Sequence, residues 1–503
     1  MTLLLGYDVG TSGTKAALID DGGALLAESV APHTLEHPHE GWAEQDPESW
    51  VSAARDATRE VLRLSGVSAE SVHALAFAGQ MLTLVPMDGE GRPMREAIAW
   101  MDARAEEEAR AIVRRMGGAR VVRALAGAVP GGKDIVAKVA WLRAHEPEVF
   151  ARTRALGDAT SFLVARTTGR LSLDPTAAGA TGLIDPETRT MSRALAFLAR
   201  FPLDRLPPLL PSTRLAGALH REGARALGLC EGTAVAMGAA DIPAMAVGTG
   251  ATRAGEAHVY LGTSAWIAAA SDRKRPVPRA GVALVPSAAP SGVLLVGESE
   301  TAGACRDWAT RTLGPVAAGA GDGGDLDALA ASSPAGARGL LFCPWLFGER
   351  APFPDARLRG GFVGLGLEHG RADLARAVLE GVALNLRLIV EAMALAPEAP
   401  LRAAGGGAQS DAWLQIVADV TGRAVERVAH PRTAGAIGAA LVAGVATGVV
   451  RSLDDARAAV AVDRRFAPRA TTRPVYDAAV RALADLHRPF SRAAIALRGG
   501  GAA

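Results

Sequence analysis

Asp8, Lys15 and a Gly-Thr-Ser-Gly turn share one short segment, LLLGYDVGTSGTKAALID, which starts at Leu3 and ends at Asp20. The pattern is an apolar strand, a tight turn and a second strand. Such a turn aims backbone N–H groups and hydroxyls at one spot, as a phosphate requires. A lysine ammonium adds a compact positive charge. The pattern recurs at 257–270 as AHVYLGTSAWIAAA. One copy is ordinary hairpin chemistry, because glycine supplies the dihedrals of a tight turn. Two copies with matched strands point to a duplicated domain gripping a nucleotide phosphate chain between its halves.

Two carboxylates stand out. Asp8 ends the first strand inside the turn. It could meet the phosphates through Mg²⁺, or cap its own turn. Asp241 follows the apolar strand 234–237 and Gly238-Ala239-Ala240. Carboxyl ends of buried strands are where α/β sheets bind ligands. There Asp241 could take a proton from an attacking hydroxyl, cap the helix starting at Ile242, or do both. A third element, AGGGAQS at 404–410, follows another strand. Its three glycines let a flat ring or sugar approach the backbone. No Walker P-loop and no strand-to-helix G-x-G-x-x-G occurs in the chain. His33, His37 and His39 beside Glu40 read as an exposed loop rather than a metal site, and Trp42, Trp50 and Trp100 line a sugar site or fill core.

The elements that must carry these residues form an α/β pattern. Strands at 3–9, 15–20 and 24–30 read as a meander, and 72–78 as a buried strand ending at Gly79-Gln80. Helices are expected at 48–65, 106–116, 135–145, 374–395 and from Asp411. A small-residue helix at 434–447 could pack against another backbone, and a terminal helix at 475–497 could break at Pro489. The stretch 315–324, rich in Gly and Ala, reads as a surface loop.

At 503 residues the chain exceeds one core, so two or more domains are expected, with a boundary near 248–255. With 49% hydrophobic and 21% charged residues it falls in the soluble globular class. A formal net charge of +1 gives no nucleic-acid footprint and no patch for an anionic membrane. Cys230, Cys305 and Cys343 are too scattered for a zinc site or disulfide framework, which suits a reducing cytosol. No apolar run reaches membrane-spanning length, and the N-terminus enters a strand without a signal-like segment. Lysine is rare: of Lys15, Lys133, Lys138 and Lys274, one closes the first turn.

With these pieces the chain resembles the FGGY family of carbohydrate kinases, in its xylulokinase-like branch, over nearly its whole length. GYDVGTSGTK resembles the opening signature, HPHEGWAEQDPESW (37–50) a xylulokinase loop, and GQMLTLVPMDGEGRPMREAIAWMDAR (79–104) the sugar-site region. GAAD (238–241), LGTS (261–264), FGERAPFPDARLRGGFVGLGLEHG (347–370) followed by RAVLEGVALNLR, and GGGAQSDAW (405–413) continue the match in order.

The resemblance implies two ribonuclease-H-like α/β domains of the actin, hexokinase and Hsp70 superfamily around a central cleft, here 1–248 and 249–503. It implies an ATP- and Mg²⁺-dependent, cytoplasmic kinase with a small-molecule sugar as substrate, D-xylulose first, and it allows a homodimer. By that resemblance Asp241 is the general base, Asp8 the metal residue, and Gln80, Met81 and Leu82 contact the sugar with Asp241. Thr11, Ser12, Gly13 and Lys15 face the transferred phosphate, Gly262 and Thr263 the other side of the phosphate chain, Gly303 lines the nucleotide, and Gly406, Gly407 and Ser410 hold the adenosine. Two positions depart from the branch: Met81-Leu82-Thr83 replaces Met-His-Gly, and Ile242 replaces an Asn after the aspartate. Both exchanges remove polar groups expected to reach sugar hydroxyls, so another pentulose, a pentitol, a tetritol or a deoxy sugar is the alternative substrate. A sugar sensor that binds ATP without transfer is the reading from another class.

Overall fold

The first strand, Leu3–Val9, is buried at all seven positions, as a strand covered on both faces must be. Gly13–Asp20 pairs with it antiparallel and Leu25–Pro32 pairs antiparallel with that, completing the expected meander. Val72–Gly79 adds parallel to Leu3–Val9, Ala234–Ala236 parallel to Val72–Gly79, and Leu215–Ala218 closes the edge antiparallel. The structure is a computed structural model that describes residues 2–126, 129–273, 281–313 and 324–499. Most of the loop expected at 315–324 lies outside these; Gly324 itself opens the helix Gly324–Ala331.

The second sheet repeats the plan. Ala257–Leu261 and Ala265–Ser271 form a hairpin, Val293–Ser299 joins antiparallel, and Ala283–Pro286 extends the edge. On the other side Leu401–Ala404 and Val425–Val428 add in parallel, and Val462–Phe466 closes antiparallel. The duplication visible as two Gly-Thr-Ser turns is therefore a duplication of sheet topology: two α/β domains, each with a mixed sheet.

The helix Ala434–Thr447 comes from the C-terminal half but lies across the first sheet. Small residues allow it. A Cβ on Gly6 would sit 1.9 Å from the Ala436 carbonyl oxygen, and one on Gly438 1.9 Å from that of Ala244. Ala244 belongs to the helix Asp241–Gly248, so two helices touch backbone to backbone directly behind Asp241. The expectation of a close-packing helix is met, and its function is to fix the Asp241 helix against the sheet.

The C-terminal helix departs from expectation. It runs unbroken over Arg473–Gly499 through Pro489. Proline forfeits one hydrogen bond and clashes with the preceding turn, but packing holds both sides: Tyr476, Val480 and Leu483 are buried before it, and Phe490 packs on the core just after. Among the described residues no helix is long and apolar enough to cross a membrane.

Candidate active site

The hairpin register sets the first charge pair. Asp8 and Lys15 are direct cross-strand partners, and Lys15 Nζ donates to Asp8 Oδ2 at 3.0 Å. Burial works against the ammonium, but the Asp8 carboxylate and Tyr260 more than reverse it, so Lys15 is held above its ordinary value and stays charged. The turn between them is braced from two sides. Trp100 Nε1 donates to Thr11 Oγ1 at 2.9 Å, and Gln45 Nε2 donates to the Thr11 carbonyl at 2.8 Å. Gln80 Nε2 in turn donates to Gln45 Oε1 at 2.7 Å. Gln80 thus reaches the Thr11 turn through Gln45, and its own Oε1 is buried without a partner among the described residues. Gln45 carried no separate signal in the sequence, although it lies inside the EGWAEQDP segment.

Asp241 reaches the same place from another strand. Ala239 and Ala240 pair in parallel with Ala78 and Gly79, which sets Asp241 beside Gln80 and Met81. Gly238, at φ +76°, makes the turn; a Cβ there would lie 2.1 Å from the Phe77 carbonyl oxygen. The Asp241 carboxyl accepts from the Ile242 N–H at 2.8 Å and from the Met81 N–H. Burial, then the Asp8 carboxylate, push its pKa up to about 8 despite those donors, with Glu298 adding to the rise. Behind it the Ala240 N–H donates to Thr176 Oγ1 at 2.8 Å, and Thr176 donates to Asp174, which also accepts from Ser212 Oγ at 2.5 Å. This buried relay was not visible in sequence.

The second turn collects the remaining residues. Gly262, Thr263 and Ser264 link strands whose ends pair as Leu261 with Ala265. The Gly303 N–H donates to the Gly262 carbonyl at 2.8 Å, and the Ala302 N–H to that of Thr263 at 2.9 Å. Gly405, at φ +94°, packs against the Leu261 backbone, where a Cβ would be 2.5 Å from its carbonyl oxygen. Gly406 faces open space. Gly407 presses on Trp413, and Ser410 Oγ caps the next helix by accepting from the Trp413 N–H at 3.0 Å. The Tyr260 ring lies against Gly262 and feels Lys15, Asp8 and Asp241, so the two hairpins face each other.

The two positions that depart from the xylulokinase-like pattern, Ile242 and Leu82, behave differently. Ile242 is buried in an apolar cluster with Met245, Trp266 and the flank of Met81; its side chain serves the contact between domains. Leu82 stands at φ +59°, a conformation few non-glycine residues adopt. Lys138 secures it: its Nζ donates to the Leu82 and Ala99 carbonyls, both at 2.7 Å. Burial pulls this lysine down to about 7, against the pull of Asp102 and Asp134. Lys138→Met should leave the part-buried Leu82 and the buried Ala99 carbonyls unpaired, lower stability by about 2–4 kcal/mol and raise the sugar KM more than it lowers kcat, as urea unfolding and steady-state kinetics would report. Nearby, an ion pair joins the two halves, Lys133 Nζ meeting both Glu300 oxygens at 2.9 and 3.0 Å, and within the C-terminal half Arg350 meets Glu298 at 2.7 Å.

In the histidine loop the rings of His37 and His39 meet Trp42. His37 Nδ1 contacts the Trp42 carbonyl at 2.8 Å, and His39 meets the Trp42 ring edge-on at 4.7 Å. Trp42 also carries the Arg104 guanidinium 3.6 Å from its ring centre, while Trp50 is core. Among the described residues no group of three or more His, Cys, Asp or Glu could hold a metal ion.

Two α/β domains of matching sheet topology, whose first hairpin carries the Asp8–Lys15 pair and whose second brings Tyr260 within electrostatic reach of Asp8 and Asp241, define the actin-like class of kinases. The N-terminal domain pattern of the FGGY family of carbohydrate kinases matches residues 3–248, and its C-terminal domain pattern matches 257–447. Xylulose kinase of Escherichia coli K12 is 32% identical over 454 residues, covering 90% of this chain and 91% of that protein. The crystal structure of xylulose kinase from Rhodospirillum rubrum superposes with a TM-score of 0.84 at 33% identity, over 97% of this chain and 100% of that one. Gluconate kinase from Lactobacillus acidophilus superposes at 0.86 with 25% identity, over 97% and 98%. The chain belongs to the FGGY family of carbohydrate kinases.

Proposed function

We propose that this carbohydrate kinase transfers the γ-phosphoryl group of ATP to a hydroxyl of a ketopentose, D-xylulose first, giving D-xylulose 5-phosphate. One observation carries the reading: a carboxyl with its pKa lifted to about 8, at a helix start beside Gln80–Leu82, faces a lysine-bearing phosphate turn. A base works best when its pKa lies near the working pH.

In this reading Asp241 accepts the proton of the attacking hydroxyl. The sugar oxygen bonds to phosphorus as the bond to the ADP oxygen breaks. Lys15 and the turn formed by Thr11, Ser12 and Gly13 neutralise and orient the phosphoryl group, which is most of what such a transfer needs. Thr263 and Gly262 hold the phosphate chain from the other domain, with Gly303, Gly406, Gly407 and Ser410 around the nucleoside. Closure of the two domains on each other would exclude water. Asp8 fits Mg²⁺: with Asp241 nearby and no third protein ligand among the described residues, the ion would take its other ligands from phosphate and water. When bound it supplies charge neutralisation at the phosphates.

Leu82 favours a second reading, in which the acceptor is another pentulose, a pentitol, a tetritol or a deoxy sugar. A coupled ADP-release assay against these acceptors decides. Dominant turnover of D-xylulose is the expected result; selectivity for another acceptor with D-xylulose at background would transfer the assignment to it. ATP binding with sugar-dependent closure but no phosphorylated product would mark a sensor instead.

A further inference from the structure

Behind the Gln80–Leu82 loop lies a small pocket whose walls are mainly apolar: Met81, Leu82, Ile135, Leu156, Leu173 and Leu206. Three polar side chains break that lining, Thr83, Asp158 and Thr181, of which Thr181 is already engaged, its hydroxyl donating to the Ala178 carbonyl at 2.7 Å. Thr83 is fully buried and Asp158 is 6% exposed. Asp158 Oδ1 is occupied, accepting from the Ser161 N–H at 2.9 Å and from its hydroxyl at 2.6 Å, which caps the helix Ala159–Thr168. Asp158 Oδ2 and Thr83 Oγ1 are buried with no hydrogen-bond partner among the described residues. Leaving such groups unpaired is costly, so a partner from outside the chain is expected. The space open to the centre of a water molecule is about 20 Å³, which exceeds the roughly 10–15 Å³ that one water needs. One water-sized polar group, such as a terminal hydroxyl, fits.

We propose that this pocket is the terminal-group subsite of the acceptor, in which a neutral hydroxymethyl end donates to Asp158 Oδ2 and accepts from Thr83 Oγ1. The inference rests on the sugar-kinase reading of the Gln80–Leu82 loop and deepens it. A substrate ending in a carboxylate is excluded, because a second anion would be buried beside the Asp158 carboxyl between apolar walls with no cation in the lining. The substrate class is therefore neutral ketoses and polyols, and aldonates such as gluconate fall outside it.

The test uses the full chain and three acceptors of each backbone: hydroxymethyl-ended, terminally deoxygenated, and carboxylate-ended. Wild type should favour the hydroxymethyl form over the aldonate by at least about 100-fold in kcat/KM. Thr83→Val keeps the shape of its side chain, and Asp158→Ser keeps a helix-capping oxygen while removing Oδ2. Each should raise the KM for the hydroxymethyl acceptor by about 10- to 100-fold, change kcat much less, and leave the deoxy acceptor nearly unaffected. An unchanged KM in a folded Thr83→Val variant, or equal losses on hydroxymethyl and deoxy acceptors, would overturn the subsite while leaving the kinase reading intact. Aldonate turnover equal to that of the neutral sugar would do the same. Failure of wild type to release ADP with any acceptor would overturn both readings together.

Discussion

Asp241→Asn is expected to lower kcat by about 100- to 10,000-fold, the usual contribution of a general base, while nucleotide affinity stays near wild type. The amide keeps the acceptor oxygen that meets the Ile242 N–H, so the local backbone should hold. The same substitution should raise stability. The Asp241 pKa is about 8 in the folded chain against an ordinary 3.8. Between those values the folded state keeps a proton that the unfolded state has lost. The unfolded state binds fewer protons there, so stability falls as pH rises through this window. Below about pH 4 the effect is absent, and above about pH 8 the loss is complete. The variant has no such titration, so its Tm should exceed that of wild type by a margin that grows from about pH 5 to about pH 8. Wild-type kcat/KM should rise through about pH 8 as the base ionises. Calorimetry across pH with coupled ADP release checks all three results; retained turnover in the variant would place the base elsewhere.

Gly438→Ala should be among the most damaging single methyls at the described glycines, with those at Gly6 and Gly248. Its Cβ would lie 1.9 Å from the Ala244 carbonyl oxygen and 2.8 Å from the Gly248 nitrogen. Both obstacles are backbone, so no rotamer change relieves the clash. The helices Asp241–Gly248 and Ala434–Thr447 would have to part, carrying Asp241 with them. A stability loss of about 3 kcal/mol or more is expected, with a fall in kcat in whatever fraction remains folded. Gly89→Ala, where nothing lies within 4 Å, is the control and should be near neutral. Urea midpoints measure both, and equal midpoints would refute the packing argument.

These two sites differ in how legible they were. Asp241 announced itself, because a carboxylate after a short apolar strand and small residues is a local pattern. The Asp8–Lys15 pair was equally local, since one hairpin register makes it. The small-residue helix was visible as composition, but not the helix it would touch. Gln45, Thr176 and Lys138 were silent. Their partners are a carbonyl at Thr11, an N–H at Ala240 and carbonyls at Leu82 and Ala99, and backbone groups leave no mark in side-chain sequence. The break considered at Pro489 failed to appear for a related reason: local propensity was outweighed by packing on both sides of the proline.

The sequence alone determined the duplicated strand-turn-strand units, the two carboxylates, the lysine in the first turn and the family they resemble, because each is set by neighbours along the chain. Tertiary structure alone decided what the two unusual residues do. Ile242 lies in the apolar contact between the domains, while Leu82 is held in a left-handed turn by a buried lysine, at the edge of the pocket containing Thr83 and Asp158. An apolar side chain reads the same in sequence whether it fills a core or walls a binding pocket. Only the packing of distant segments around it fixes which.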